Sequence, residues 1–292
     1  MIPSAFDYQA PASLDEALSA LAAAGDEAKI LAGGQSLLPV MRLRLAAPET
    51  IIDLGRIDEL RGVSEDGDAV VIGAMTPHHE VATNAVVAEH AALVAKATQT
   101  IGDPQVRHRG TFGGSLVHAD PASDLPACAL ALDAEFEIAG SGGRRTVPAS
   151  EFFVDLFTTA VGEDEILTSV RVPKTTGWGA DYQKFTRVKQ QWSIVGVAAA
   201  VRIDGGSIAE ARIGLTNMGP TPLRASAVEQ ALAGCALDEA AIAAATASAG
   251  EGTNPPSDTN GDAAYRRHLA GVLTARAVST AGGVVPAGAG AA

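Results

Sequence analysis

The stretch Lys29-Ile30-Leu31-Ala32-Gly33-Gly34-Gln35-Ser36 is a short apolar strand that stops on a glycine pair. Behind it, Leu37 to Leu45 has the spacing of a helix. Glycines let a backbone take positive φ and come close to a ligand. Successive N–H groups then form a concave anion site, and a helix start adds partial positive charge. A diphosphate suits such a place. A tight strand-to-helix turn with no ligand is the competing reading.

A second small-residue loop, Gly110-Thr111-Phe112-Gly113-Gly114-Ser115, follows Arg107-His108-Arg109. It offers another glycine pair, two hydroxyls and nearby cations. Asp120-Pro121-Ala122-Ser123-Asp124 comes next, and Asp124 is placed to accept hydrogen bonds from ribose or ribityl hydroxyls. An ordinary surface loop is the alternative. Two such loops fit one extended ligand better than two unrelated turns.

Outward from the first loop, residues 1–55 read as strand, helix, strand, helix, strand. Ser13-Leu14-Asp15-Glu16 is a capping box, and Gly25 closes the helix it opens. Residues 56–175 form a second unit. Glu65-Asp66-Gly67-Asp68 turns into a strand, Ala69 to Ala74. Thr76-Pro77 starts a helix with Thr76 as N-cap, and Ala85 to Thr98 is one Ala-rich helix. Gln99 to Leu125 reads as a long irregular segment, a length usually reserved for function. Strands follow at Ala134 to Ala139 and Ile166 to Val172. Pro173 to Gly177 marks a boundary. Residues 176–281 carry three strands, then three helical patterns, an α+β arrangement. The tail, residues 282–292, is expected to fray.

Composition narrows the function. The chain has 292 residues, 47% hydrophobic and 19% charged, which suits a folded protein. There is no run of about 18 apolar residues to span a membrane. The start carries no basic patch followed by an apolar core, so a secretory signal is not expected, and the two separated cysteines read as those of a reduced, cytoplasmic protein. With 21 basic against 34 acidic residues, the net charge is −13. Nucleic acid is therefore a poor partner. Cys128 and Cys235 are far apart and lack a CxxC, so neither structural zinc nor an iron–sulfur cluster belongs to this chain alone. Both cysteines read as core residues of Ala-rich helices. Rossmann, P-loop, HExxH and nucleophile-elbow patterns are absent. His78, His79, His90, His108, His118 and His268 have no ligand spacing.

Ala32-Gly33-Gly34-Gln35-Ser36 and Thr111-Phe112-Gly113-Gly114-Ser115, with Asp120-Pro121-x-x-Asp124 beyond, resemble the flavin subunit of the molybdenum hydroxylases. The likeness covers nearly the whole chain. It includes Ile51-Ile52-Asp53-Leu54, Ile101-Gly102-Asp103-Pro104-Gln105 and Thr221-Pro222-Leu223-Arg224. It is nearest to the medium subunit of aerobic carbon monoxide dehydrogenases. The resemblance implies an α+β chain: the two-subdomain FAD-binding fold of vanillyl-alcohol oxidase relatives, then a C-terminal α+β domain. The two loops would hold the FAD diphosphate, and Asp124 a flavin hydroxyl chain. Lys184 matches a family lysine near the flavin ring, where positive charge stabilises the reduced, anionic form. A solvated strand lysine is the plainer reading of it.

The chain departs from the family at three places. Gln35 stands where His is usual, and Phe112 where Ile is common. Trp192 lies near where the carbon monoxide branch has an aromatic, usually Tyr, facing the flavin. It reads either as that stacking ring or as a core aromatic. The resemblance further implies a molybdopterin-binding large subunit that oxidises carbon monoxide with water to carbon dioxide. A [2Fe-2S] small subunit would relay electrons to FAD here, and an external acceptor would take them, at the inner face of the membrane. A dimer of heterotrimers is the usual assembly. A medium subunit for xanthine, aldehyde or N-heterocycle oxidation, a stand-alone FAD oxidoreductase and a flavin-free scaffold are the other readings.

Overall fold

The computed structural model describes residues 2–284; residues 285–292 of the expected tail lie outside that range. In the first unit, β1 (Asp7–Gln9), α1 (Leu14–Ala24), β2 (Ala28–Leu31), α2 (Leu37–Arg42) and β3 (Thr50–Asp53) follow one another. The strands form a parallel sheet in the order β1–β3–β2. Ser13 Oγ accepts from the Glu16 N–H at 3.3 Å, as a capping box requires. The reciprocal bond goes one residue further back, with Glu16 Oε2 accepting from the Ala12 N–H. Leu14, Ala17 and Leu21 bury one face of α1 against Ile52 and Leu54. The same cluster takes in Met75, Ala139 and Ile166 from the next unit.

The second unit opens with the hairpin β4 (Val63–Asp66) and β5 (Ala69–Gly73). Helices α3 (His78–Thr83), α4 (Ala85–His90), α5 (Ala92–Gln99), α6 (Pro104–Arg107), α7 (Phe112–His118) and α8 (Asp124–Ala131) follow. Then come β6 (Glu135–Gly140), β7 (Gly143–Pro148), α9 (Ala149–Phe152), β8 (Phe153–Asp155), β9 (Thr158–Thr159) and β10 (Ile166–Pro173). The main sheet is antiparallel, in the order β4–β5–β10–β6–β7.

Three expectations are corrected here. Thr76 does not cap α3: its hydroxyl bonds both the N–H and the carbonyl of Gly62, and Pro77 occupies the cap. The helix expected from Ala85 to Thr98 is two helices, broken at Ala91 with φ −139°. The His90 carbonyl there accepts the Thr175 N–H at 2.7 Å instead of continuing the helix. The segment read as irregular, Gln99 to Leu125, holds α6, α7 and the start of α8. Its polar residues are caps: Asp103 accepts from the Val106 N–H, and Thr111 from the Gly114 N–H.

The third unit is an antiparallel sheet of β11 (Gly179–Phe185), β12 (Val195–Asp204), β13 (Ser207–Thr216) and β14 (Leu223–Arg224). Helices α10 (Ser226–Leu232), α11 (Glu239–Thr246) and α12 (Ala263–Ala281) cover one face. Strand β12 is buried on both sides. Val195, Val197 and Val201 face the helices, while Ala198 and Ala200 join the core of the second unit. The small residues on that second face permit close approach: a Cβ on Gly214 would sit 2.2 Å from the Ala127 carbonyl oxygen of α8. Tyr182, on the C-terminal side of the expected boundary, is likewise part of the second unit's core. Cys128 is fully buried in α8, but Cys235 is half-buried in the link after α10 rather than in a helix core. No helix among the described residues is long and apolar enough to cross a membrane.

Candidate functional site

The three units meet at a cavity of about 500 Å³, within the roughly 300–1,000 Å³ typical of cofactor pockets. From the first unit it takes Ala32, Gly33, Gly34, Gln35 and Ser36; from the second, Thr111, Gly113, Gly114, Ser115 and Asp124; from the third, Lys184 and Trp192. Twelve of the thirteen residues expected at the site thus share one wall. Phe112 does not: it is 2% exposed and packs in the core of the second unit.

The two loops differ in what they offer. Among the described residues, no protein acceptor takes the N–H groups of Gly33, Gly34, Gln35, Ser36 or Leu37. Gly34, at φ +75°, turns the chain so that this run lines the cavity. In the second loop the N–H groups of Phe112 to Ser115 are already used. Phe112 donates to Thr76, Gly113 to Ala74, and Gly114 and Ser115 to the Thr111 hydroxyl and carbonyl. A run of N–H groups without protein acceptors is thus a feature of the first loop, while the second offers hydroxyls. Nor does a helix start add much, because α2 has only 6 residues.

The glycine pairs also serve a purpose that spacing alone does not reveal. A Cβ on Gly33 would lie 2.2 Å from the Arg109 carbonyl oxygen and 2.6 Å from the Gly110 Cα. One on Gly113 would lie 2.5 Å from the Ala74 Cβ. The missing side chains let the loops pack on each other and on the strand below. Arg107 is committed elsewhere, donating to the Ile101 carbonyl at 2.9 Å.

Asp124 is a hub. It is 4% exposed. Its Oδ1 accepts from the Tyr182 hydroxyl at 2.8 Å and the Ser193 hydroxyl at 2.7 Å. Its Oδ2 accepts from Lys184 Nζ at 2.7 Å. Lys184 also donates to the Thr100 carbonyl. Burial, with the Asp124 charge adding to it, pushes the Tyr182 phenol well above its ordinary pKa, so it stays a neutral donor. The plainer reading of Lys184 as a solvated strand lysine fails: its side chain is 9% exposed and ion-paired. Ser193 is held in turn, its carbonyl accepting from Asn217 Nδ2 at 2.8 Å. Trp192 next to it is 52% exposed at the cavity, which removes the core-aromatic reading. It tilts against His118, whose ring also meets Phe157.

The wall residues that the sequence reading did not assign to the site include two histidines, His78 and His118. Each was visible as a histidine, but neither has motif spacing. Burial lowers the pKa of both, His78 to about 4.

Residues 4–175 match the family model described as "FAD binding domain in molybdopterin dehydrogenase", and residues 180–281 match "CO dehydrogenase flavoprotein C-terminal domain". The carbon monoxide dehydrogenase medium chain of Hydrogenophaga pseudoflava is 43% identical, over 96% of this chain and 98% of that one. The glyceraldehyde dehydrogenase medium chain of Sulfolobus acidocaldarius is 37% identical, over 95% and 98%. A solved structure of the Hydrogenophaga pseudoflava carbon monoxide dehydrogenase, in a form lacking the Mo-pyranopterin moiety, superposes with a TM-score of 0.93. It shares 45% identity, over 96% of this chain and 98% of that one.

Proposed function

We propose, for a chain that belongs to the FAD-binding medium-subunit family of the molybdenum hydroxylases, that it is the FAD-holding, electron-transfer subunit of an aerobic carbon monoxide dehydrogenase. One observation carries the proposal: a cavity of cofactor size whose wall includes the free N–H groups of Gly33 to Leu37. Those groups suit a diphosphate, because successive backbone donors left free along a cavity wall can hold negative charge on an otherwise acidic chain. When bound, FAD supplies a carrier that takes electrons singly or in pairs.

The chain's own residues hold and shape the site. Thr111, Ser115 and Ser123 place hydroxyls along the second loop, and Ser115 and Ser123 bond each other at 2.9 Å. Lys184 brings a cation to the wall, but Asp124 neutralises much of its field. Lys184 therefore acts on a bound flavin as a hydrogen-bond donor more than as an isolated charge. Trp192 and Gln191 border the cavity on the third unit.

The partners in this proposal are a molybdopterin-binding large subunit and a [2Fe-2S] small subunit, assembled as a dimer of heterotrimers in the cytoplasm. Carbon monoxide and water give carbon dioxide, two protons and two electrons on the large subunit. The small subunit delivers the electrons to this chain, and an external acceptor at the inner face of the membrane removes them. The test is purification of the chain with its native neighbours. Flavin absorbance, iron and molybdenum together with carbon monoxide-dependent dye reduction are expected. A flavin-free or metal-free preparation with no such reduction would contradict the proposal. The 37% identity to a glyceraldehyde dehydrogenase medium chain favours an aldehyde-oxidising complex as the second reading. Dye reduction by aldehydes and not by carbon monoxide would select it.

A further inference from the structure

His78 sits where β5 hands over to α3, and its ring is part of the cavity wall. The residue is 3% exposed. Its Nδ1 is sealed from solvent and has no hydrogen-bond partner among the described residues. Its Nε2 has no protein partner either, but it is not sealed off. A buried, unpaired N–H is the costlier orphan, so the ring proton belongs on Nε2, where a ligand can meet it.

The position of that donor is set by backbone. The His78 N–H donates to the Gly110 carbonyl at 2.9 Å. A Cβ on Gly110 would lie 2.9 Å from His78 Cδ2 and 3.2 Å from Nε2. Gly110 Cα in turn is the atom that a Cβ on Gly33 would meet at 2.6 Å. The Nε2 edge of the ring therefore lies beside the contact between the two loops at Gly110 and Gly33, and lines the same cavity as Gly33 to Leu37. The charged group facing it is Arg107, whose guanidinium opposes a second positive charge on the ring.

We infer that His78 is a further cofactor-binding residue, a neutral imidazole that donates from Nε2 to a phosphoryl oxygen of the bound dinucleotide. This rests on the FAD reading above. It assigns the second loop a side-chain donor in place of the N–H groups that loop has already used.

The test is FAD titration of the flavin-stripped full chain, followed by fluorescence quenching. His78→Phe keeps the ring and removes the donor; His78→Gln returns an amide N–H near the Nε2 position. His78→Phe is expected to weaken FAD binding about tenfold, as loss of one hydrogen bond to a charged group does. His78→Gln is expected to recover most of that loss, and riboflavin, which has no phosphate, to bind both variants as it binds the wild type. Nitrogen-15 spectra of the wild-type ring give a check independent of refolding. They should show protonated Nε2 and a shift of its proton on adding FAD. Equal FAD affinity in wild type and His78→Phe, or a ring signal unmoved by FAD, would overturn the assignment and leave the FAD reading standing. A folded wild-type chain that takes up no FAD would overturn both.

Discussion

An alanine at position 33 would put a methyl carbon 2.2 Å from the Arg109 carbonyl oxygen. Backbone cannot yield that distance cheaply, so Gly33→Ala should separate the loops, cost about 2 kcal/mol or more and release FAD. Urea unfolding and flavin content measure the two effects. Lys184 poses a different problem. Removing its charge strands Asp124, buried and unpaired, so Lys184→Met should cost about 3 kcal/mol through Asp124 alone. The Asp124→Asn/Lys184→Met double variant should regain part of that loss, and a thermodynamic cycle reads the coupling. A change in flavin potential in Lys184→Ala, expected from the sequence as the effect of one cation, would therefore mix in the uncompensated, buried Asp124 charge. His78 supplies the pH dependence. In the FAD-free chain its pKa of about 4 lies below the ordinary 6.5 because burial disfavours the cation. The unfolded chain thus binds the extra proton first. Stability is complete above pH 6.5 and falls as pH drops toward 4, by about 3 kcal/mol for this group. His78→Phe should flatten that part of a stability-against-pH curve.

At the scale of elements, the residues that cap helices are the ones that read as loop. Asp103-Pro104 and Thr111 carry ordinary start signals, yet the glycines around them gave the segment an irregular look, and two helices and the start of a third went unseen. Strands β4 and β7 were missed for another reason: they are largely exposed and polar, so no apolar alternation marks them. The break at Ala91 was not legible at all, because its cause, the Thr175 N–H on the His90 carbonyl, lies 85 residues away. Asn84 holds the start of α4, accepting from the Val86 and Val87 N–H groups. Asn84→Ala should cost about 1 kcal/mol in urea unfolding with no change in flavin affinity.

For the whole molecule, the site exists because three cores share walls. The first unit's cluster reaches into the second sheet, and the third unit's sheet gives one face to the second core. The glycine pairs made most of the site legible, since each loop announces itself locally. The Asp124–Lys184–Tyr182–Ser193 network was not, because no motif links Asp124 to partners that stand 58, 60 and 69 positions away. Net charge adds a constraint of its own. At −13, the chain is acidic overall, and the central claim is that backbone N–H groups of the first loop hold the diphosphate. Amide spectra of the isotope-labelled full chain, recorded before and after adding FAD, test this directly. The Gly33 to Leu37 amide protons should move strongly downfield, while those of Phe112 to Ser115, already bonded within the protein, should shift little. Unmoved Gly33 to Leu37 amides in a chain that has bound FAD would contradict the account.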